Sequence, residues 1–160
     1  MDVSVDAFPD LTGAIRAYIR SLTVVTTMVA DRVWIGWPKN ADGSLKLKVP
    51  PYLAAVLIES GRGGLGPDAE APYQTERVDI SCLGPNEHDA NLLWRTLGPY
   101  LVDQTRRRPS GFRAANTLVS AVYQEGGPLR SPDPETDWPR TVCSYQFRYC
   151  TVPLSELVGV

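Results

Sequence analysis

Apolar residues return every three or four positions from Leu11 through Ala14, Ile15, Tyr18 and Ile19 to Leu22. That spacing places them on one side of an amphipathic helix, with Asp10 available to cap its first N–H groups and Arg16 and Arg20 on the side left to water or to a partner. The next run, Val24 to Val29, is β-branched and fits either a short second helix or a turn. Arg32 to Trp37 reads as a strand stopped by Pro38, and Lys39-Asn40-Ala41-Asp42-Gly43-Ser44 has the composition of a turn. From Tyr52 to Ile58 the chain is continuously apolar, as in a strand covered on both faces. Glu76 to Leu83 alternates instead, with Val78, Ile80 and Cys82 on one face and Arg77, Asp79 and Ser81 on the other, so a half-buried strand is expected there.

A second helix begins at Asn86, which can cap it, and carries the stripe Ala90, Leu93, Trp94, Leu97 and Leu101. Gly98-Pro99 is expected to kink or restart this helix, because proline removes one intrahelical bond. Ala115 to Tyr123 and Thr141 to Val152 read as strands, the latter with Cys143, Tyr145, Phe147 and Tyr149 sharing a face. Two long loops are expected, one from Gly61 to Tyr73 and one from Gln124 to Arg140, the second rich in proline and acidic residues. The segment after Pro153 reads as a loose tail. The expected architecture is therefore a single α+β domain over 1–160 with its core at about 8–152. About five strands form a mixed, mostly antiparallel sheet with two main helices packed on one face.

At 160 residues with 43% apolar content the chain can bury a core of its own, without disulfides or metals. A net charge of -2 argues against a general nucleic-acid or anionic-membrane binder. The longest apolar run, Tyr52 to Ile58, has seven residues, far short of the roughly 20 a membrane helix needs, and the first residues lack the pattern of a secretory leader. Cytosolic residence is the simplest expectation. Cys82, Cys143 and Cys150 show no C-x-x-C spacing and read as buried, reduced side chains.

Chemical motifs are sparse. Gly61-Arg62-Gly63-Gly64-Leu65-Gly66 matches the dinucleotide-binding pattern, but Pro67 and Pro72 leave no room for the helix whose N-terminus would meet the pyrophosphate. His88 is the only histidine; a hydrolytic set with Asp89 and Ser81 or Cys82 fails because neighbouring helical side chains diverge. Asp133, Glu135 and Asp137 alternate like calcium ligands, yet the surrounding prolines and Trp138 occupy places a calcium loop gives to flexible residues and glycine. No catalytic residue, metal or cofactor is assigned. Arg106 to Arg108 could meet phosphates, and the Tyr145, Phe147, Tyr149 face is of the kind that stacks bases, but in an acidic domain a solvated helix end and a sheet face buried under helices are the favoured account.

The order of these phrases, over roughly residues 8 to 152, resembles the tail-terminator (tail-completion) proteins of long-tailed bacteriophages. The likeness runs from the opening helix and the Asp31-Arg32-Val33 and Pro51-Tyr52 strand starts, through Glu76 to Cys82 leading into the Asn86 helix. It ends with the Gly126-Gly127-Pro128, Asp133-Pro134 and Trp138-Pro139 loop entering the last aromatic strand. The resemblance implies a non-enzymatic virion protein at the neck, assembled in the host cytoplasm. Its partners would be five further copies of itself in a hexameric ring, the tail tube protein and a neck or head-completion protein, with genomic DNA passing through the lumen and no membrane involved. Interface residues are expected at Arg62 and Leu65 in the first loop, at Arg106, Arg107 and Arg108, and at Arg130 and Trp138 in the second loop. Another head-completion or connector subunit, a small hydrolase using His88, and a nucleic-acid module are the competing readings.

Overall fold

The computed structural model of the chain describes residues 10–46, 52–60, 74–103, 108–109, 111–114 and 116–151. Helix α1 (Leu11–Ser21) begins where expected, the Asp10 carboxylate accepting the Gly13 N–H at 3.0 Å. The β-branched run after it forms a second short helix, α2 (Thr23–Val29). Strands β1 (Val33–Ile35), β2 (Ala55–Ser60) and β3 (Gln74–Leu83) follow, then helix α3 (Glu87–Leu101). A two-residue pair, β4 (Val102–Asp103) and β5 (Arg108–Pro109), leads to β6 (Phe112–Ala114), β7 (Thr117–Arg130) and β8 (Arg140–Thr151).

Six of these strands form one sheet in the order β1-β2-β3-β8-β7-β6. Only β1 and β2 run parallel; every other neighbouring pair is antiparallel. The α+β class, mixed sheet and helical layer thus match the sequence, with six strands and three helices in place of about five and two. Helix α1 packs against β1, β2 and also β6, elements from opposite ends of the sheet, so the sheet curls around it. The Tyr18 ring stacks on Phe112 of β6 at 4.2 Å, while Arg20 donates to the backbone carbonyls of Asp31 and Val33 beside β1. The outer edge of β1 is therefore partly covered by a cationic side chain, a usual guard against edge-to-edge association.

Between helices and sheet lies the main core. Ile15 and Ile19 of α1, Val25 and Val29 of α2, and Leu93, Leu97 and Leu101 of α3 meet Val56, Ile58, Val78, Ile80, Cys82, Tyr145 and Phe147. The three cysteines are free and buried, as expected from their strand positions. Gly84 joins β3 to α3 because a Cβ there would stand 2.7 Å from the backbone nitrogen of Ala90. Asn86 caps α3, its side-chain oxygen accepting the Asp89 N–H at 2.8 Å. Asn86→Ala should lower stability by about 1 kcal/mol, read as a shift of the urea midpoint with unchanged slope.

Two expectations change. Helix α3 continues through Pro99 to Leu101, because proline in the last turn removes one bond while the buried stripe runs on to Leu101 and the Val102 N–H closes the end on Gly98. Strand β7 runs to Arg130, so the first half of the expected Gln124 to Arg140 loop is strand. Gly126, Gly127 and Pro128 sit among register shifts, and β6 pairs only with Thr117 to Val119, so no described strand needs the N–H that Pro128 lacks. The expected Gly61 to Tyr73 loop and the tail after Pro153 lie outside the described residues.

Candidate interface on the outer sheet face

The sheet face opposite the helices is built in two halves. Continuous burial along Ala55, Val56, Leu57 and Ile58 shows that β2 is covered on both sides. Val56 and Ile58 enter the main core, whereas Ala55 and Leu57 join Leu83 and Trp138 in a second cluster on the outer face. Trp138 is the keystone of that half. Its ring centroid lies 6.1 Å from Trp34, 5.7 Å from Trp37 and 5.4 Å from Tyr52.

A knot of hydrogen bonds holds the Trp138 turn in place. The Asp133 carboxylate accepts from the Glu135 N–H at 3.0 Å and from the Thr136 N–H and hydroxyl, each at 2.9 Å. Arg140 approaches the same carboxylate at 3.5 Å, and the Tyr52 hydroxyl donates to the Thr136 carbonyl at 3.2 Å. The alternation Asp133, Glu135, Asp137 is thereby explained as turn geometry, with Asp133 turned inward and the other two exposed. No group of three His, Cys, Asp or Glu side chains among the described residues could hold a metal ion.

The other half is polar. One transverse row follows the strand register: Glu59 opposite Asp79, Asp79 opposite Ser144, Ser144 opposite Gly126. Arg77, exposed on β3, reaches Asp79 at 3.5 Å and Glu125 at 3.9 Å and donates to the Ser144 hydroxyl at 3.0 Å. Ser144 in turn donates to Asp79. The Glu59 carboxyl is raised above the usual carboxylate range by burial and by the nearby charge of Asp133, with smaller contributions from Asp79 and Glu135 against the opposing Arg140. A Cβ on Gly126 would meet nothing within 4 Å, so no described residue covers the row at that point. Tyr123 and Leu129 flank it on β7, 47% and 57% exposed.

The expected interface residues scatter. Arg62, Leu65, Arg106 and Arg107 lie outside the described residues. Arg108 falls in β5, its backbone opposite Asp103. Arg130 ends β7 exposed on one side of the turn, but Trp138 on the other side is only 2% exposed and packs inward, so in the isolated chain it supports a surface rather than forming one. Lys39, Glu59, Asp79, Tyr123, Glu125 and Leu129 were not singled out from the sequence as interface candidates, although strand alternation places some of them outward.

The hydrolytic set is likewise dispersed. His88 is exposed, Ser81 and Cys82 are buried on opposite faces of β3, and Asp89 accepts from the Asn86 side chain at 3.0 Å. Burial pushes the Cys82 thiol far up, so it stays protonated and un-nucleophilic. No helix among the described residues is long and apolar enough to cross a membrane.

No protein-family model and no curated protein matches the sequence. Among solved structures, the fold is similar to that of a chain in "Virion of native gene transfer agent (GTA) particle", with a TM-score of 0.61 at 11% identity. The similarity spans 93% of this chain and 99% of that one.

Proposed function

We propose that this chain is a structural, non-enzymatic component of a phage-like virion, and within that particle the tail terminator. It forms a ring of six copies on the head-proximal end of the tail tube, ends tube polymerisation and presents a surface to a neck or head-completion protein. The observation that carries the reading is the nearly end-to-end fold likeness to a chain of a virion. At 11% identity that likeness supports the particle, and the tail-terminator order of sequence phrases supports the position within it.

The chemistry agrees. A ring capping a tube works through surfaces rather than through a reacting group, and the described residues offer an open, mixed polar and apolar sheet face, with the one histidine exposed and the thiols buried. A ring also needs heterologous contacts, one patch meeting a different patch on the next copy. Genomic DNA would pass the lumen without sequence recognition. The second reading, a connector on the portal side, shares the same fold support and differs only in where the ring sits.

Native mass across a concentration series, with and without purified tail tubes, tests the proposal. Six copies of 17.6 kDa give a species of roughly 106 kDa, free or bound to tube ends. A chain that remains monomeric in both conditions would overturn the ring, and a ring that binds portal rather than tubes would select the connector.

A further inference from the structure

We propose that the lysine-bearing hairpin after β1 docks on the outer sheet face of a second copy of this chain, forming the head-to-tail contact of the ring. The inference rests on the ring reading above and names its two surfaces.

The hairpin is one partner. Lys39 bridges to Leu45, the Asn40 N–H donates to Ser44 O at 2.8 Å, and the Lys46 N–H donates to Pro38 O at 2.9 Å, so residues 38–46 form a closed, preorganised turn. Its base is anchored to the body, the Gly36 N–H donating to Ile58 O at 2.9 Å and the Trp37 ring lying 5.7 Å from Trp138, while a Cβ on Gly43 near its tip would meet nothing within 4 Å. All three lysines of the chain, Lys39, Lys46 and Lys48, fall in or next to this turn, although 16 residues are basic in total. Lys39 and Lys46 are exposed, and neither forms an ion pair among the described residues. Asp42 lies between them, but its carboxylate is turned onto the Ser44 N–H and hydroxyl.

The outer face is the complementary partner. Glu59, Asp79 and Glu125 line the row across β2, β3 and β7; the Arg77 guanidinium is shared between Asp79 and Glu125, and Arg140, which also acts on Glu59, is paired with Asp133. The row therefore keeps a surplus of negative charge, while Tyr123 and Leu129 supply apolar area at its β7 end. Two exposed ammonium groups on a rigid turn fit such a surface.

Position on the sheet bears on the β7 end of the face. The hairpin continues from β1, at one end of the sheet, whereas Glu125, Tyr123 and Leu129 sit on β7, four strand spacings away, roughly 19 Å. Glu59 and Asp79 lie on β2 and β3, near the hairpin of their own copy, whereas the β7 end of the face lies at the far side, where the hairpin of a successive copy would meet it head to tail. Backbone pairing along β7 is not the mode of contact, because the register shifts and Pro128 break up its outer edge.

The test is a charge swap on the full chain. One variant carries Lys39→Glu and Lys46→Glu; the other carries Glu59→Lys and Glu125→Lys. Each alone should self-associate about 100-fold more weakly than the natural chain, because like charges now face each other at every contact. An equimolar mixture should recover association to within about tenfold, as every hairpin finds a complementary face in an alternating ring. Circular dichroism and melting temperature confirm that both variants remain folded, and where assembly occurs only on tail tubes the same comparison is made on tubes. A natural chain that assembles while either folded variant assembles equally well overturns the inference and leaves the ring standing. Two variants that each fail and do not rescue one another also overturn it. If the natural chain never assembles, the ring and this contact fall together.

Discussion

Trp138→Ala should lower the unfolding free energy by about 3–5 kcal/mol, with a clear drop in urea midpoint. The size follows from what the ring touches. It is 2% exposed and packs on Ala55, Leu57 and Leu83 while contacting Trp34, Trp37 and Tyr52. Truncation would open the outer cluster from its centre, and the surrounding rings hang from two separate segments, so they cannot collapse together into the void. Trp138→Phe should cost far less, about 1–2 kcal/mol, because the indole N–H has no hydrogen-bond partner among the described residues and an aromatic ring still fills most of the space. The main core between helices and sheet is untouched, so far-ultraviolet circular dichroism should stay near that of the natural chain while near-ultraviolet signal falls. An alanine variant losing less than about 1 kcal/mol would show that the outer cluster adds little to the fold.

Much of the fold was legible because many segments bury one face only. The stripes of α1 and α3 and the alternation of β3 and β8 each state which side meets the core, and Asp10 and Asn86 mark helix starts by side-chain chemistry. The sequence was less clear where burial depends on a distant segment. Continuous burial of β2 becomes two half-cores only because Trp138, some eighty residues later, folds back over Leu57. Gly126-Gly127-Pro128 reads as loop punctuation, yet pairing with β8 absorbs it as bulges within a strand. The polar row is hidden differently, since Glu59, Asp79, Ser144 and Glu125 come from four segments that only register brings side by side. Alternation could place those side chains outward, but not show that the helices cover the other face alone.

Asp133→Ala should be nearly as damaging as loss of the tryptophan, about 2–4 kcal/mol, and for an electrostatic reason. The carboxylate side chain is 6% exposed and satisfies two backbone N–H groups and a hydroxyl, besides facing Arg140, which is 16% exposed. Removing it leaves those donors unpaired and the guanidinium without its ion-pair partner, and Arg140 Nε already lacks a partner among the described residues. Asp133→Asn separates the two contributions, since the amide oxygen can still accept from the turn but no longer neutralises Arg140. If the stranded cation dominates, adding Arg140→Leu to Asp133→Ala should recover about 1 kcal/mol or more in urea unfolding. If the turn donors dominate, the second change should recover nothing, and Asp133→Asn should be the milder variant. Asp133→Ala and Trp138→Ala should not add, because the Asp133 N–H donates to the Trp138 carbonyl at 2.8 Å and the Trp138 N–H to the Thr136 hydroxyl at 3.3 Å. Releasing the turn by either change already frees the tryptophan, so the double variant should fall short of the sum by about 1 kcal/mol or more.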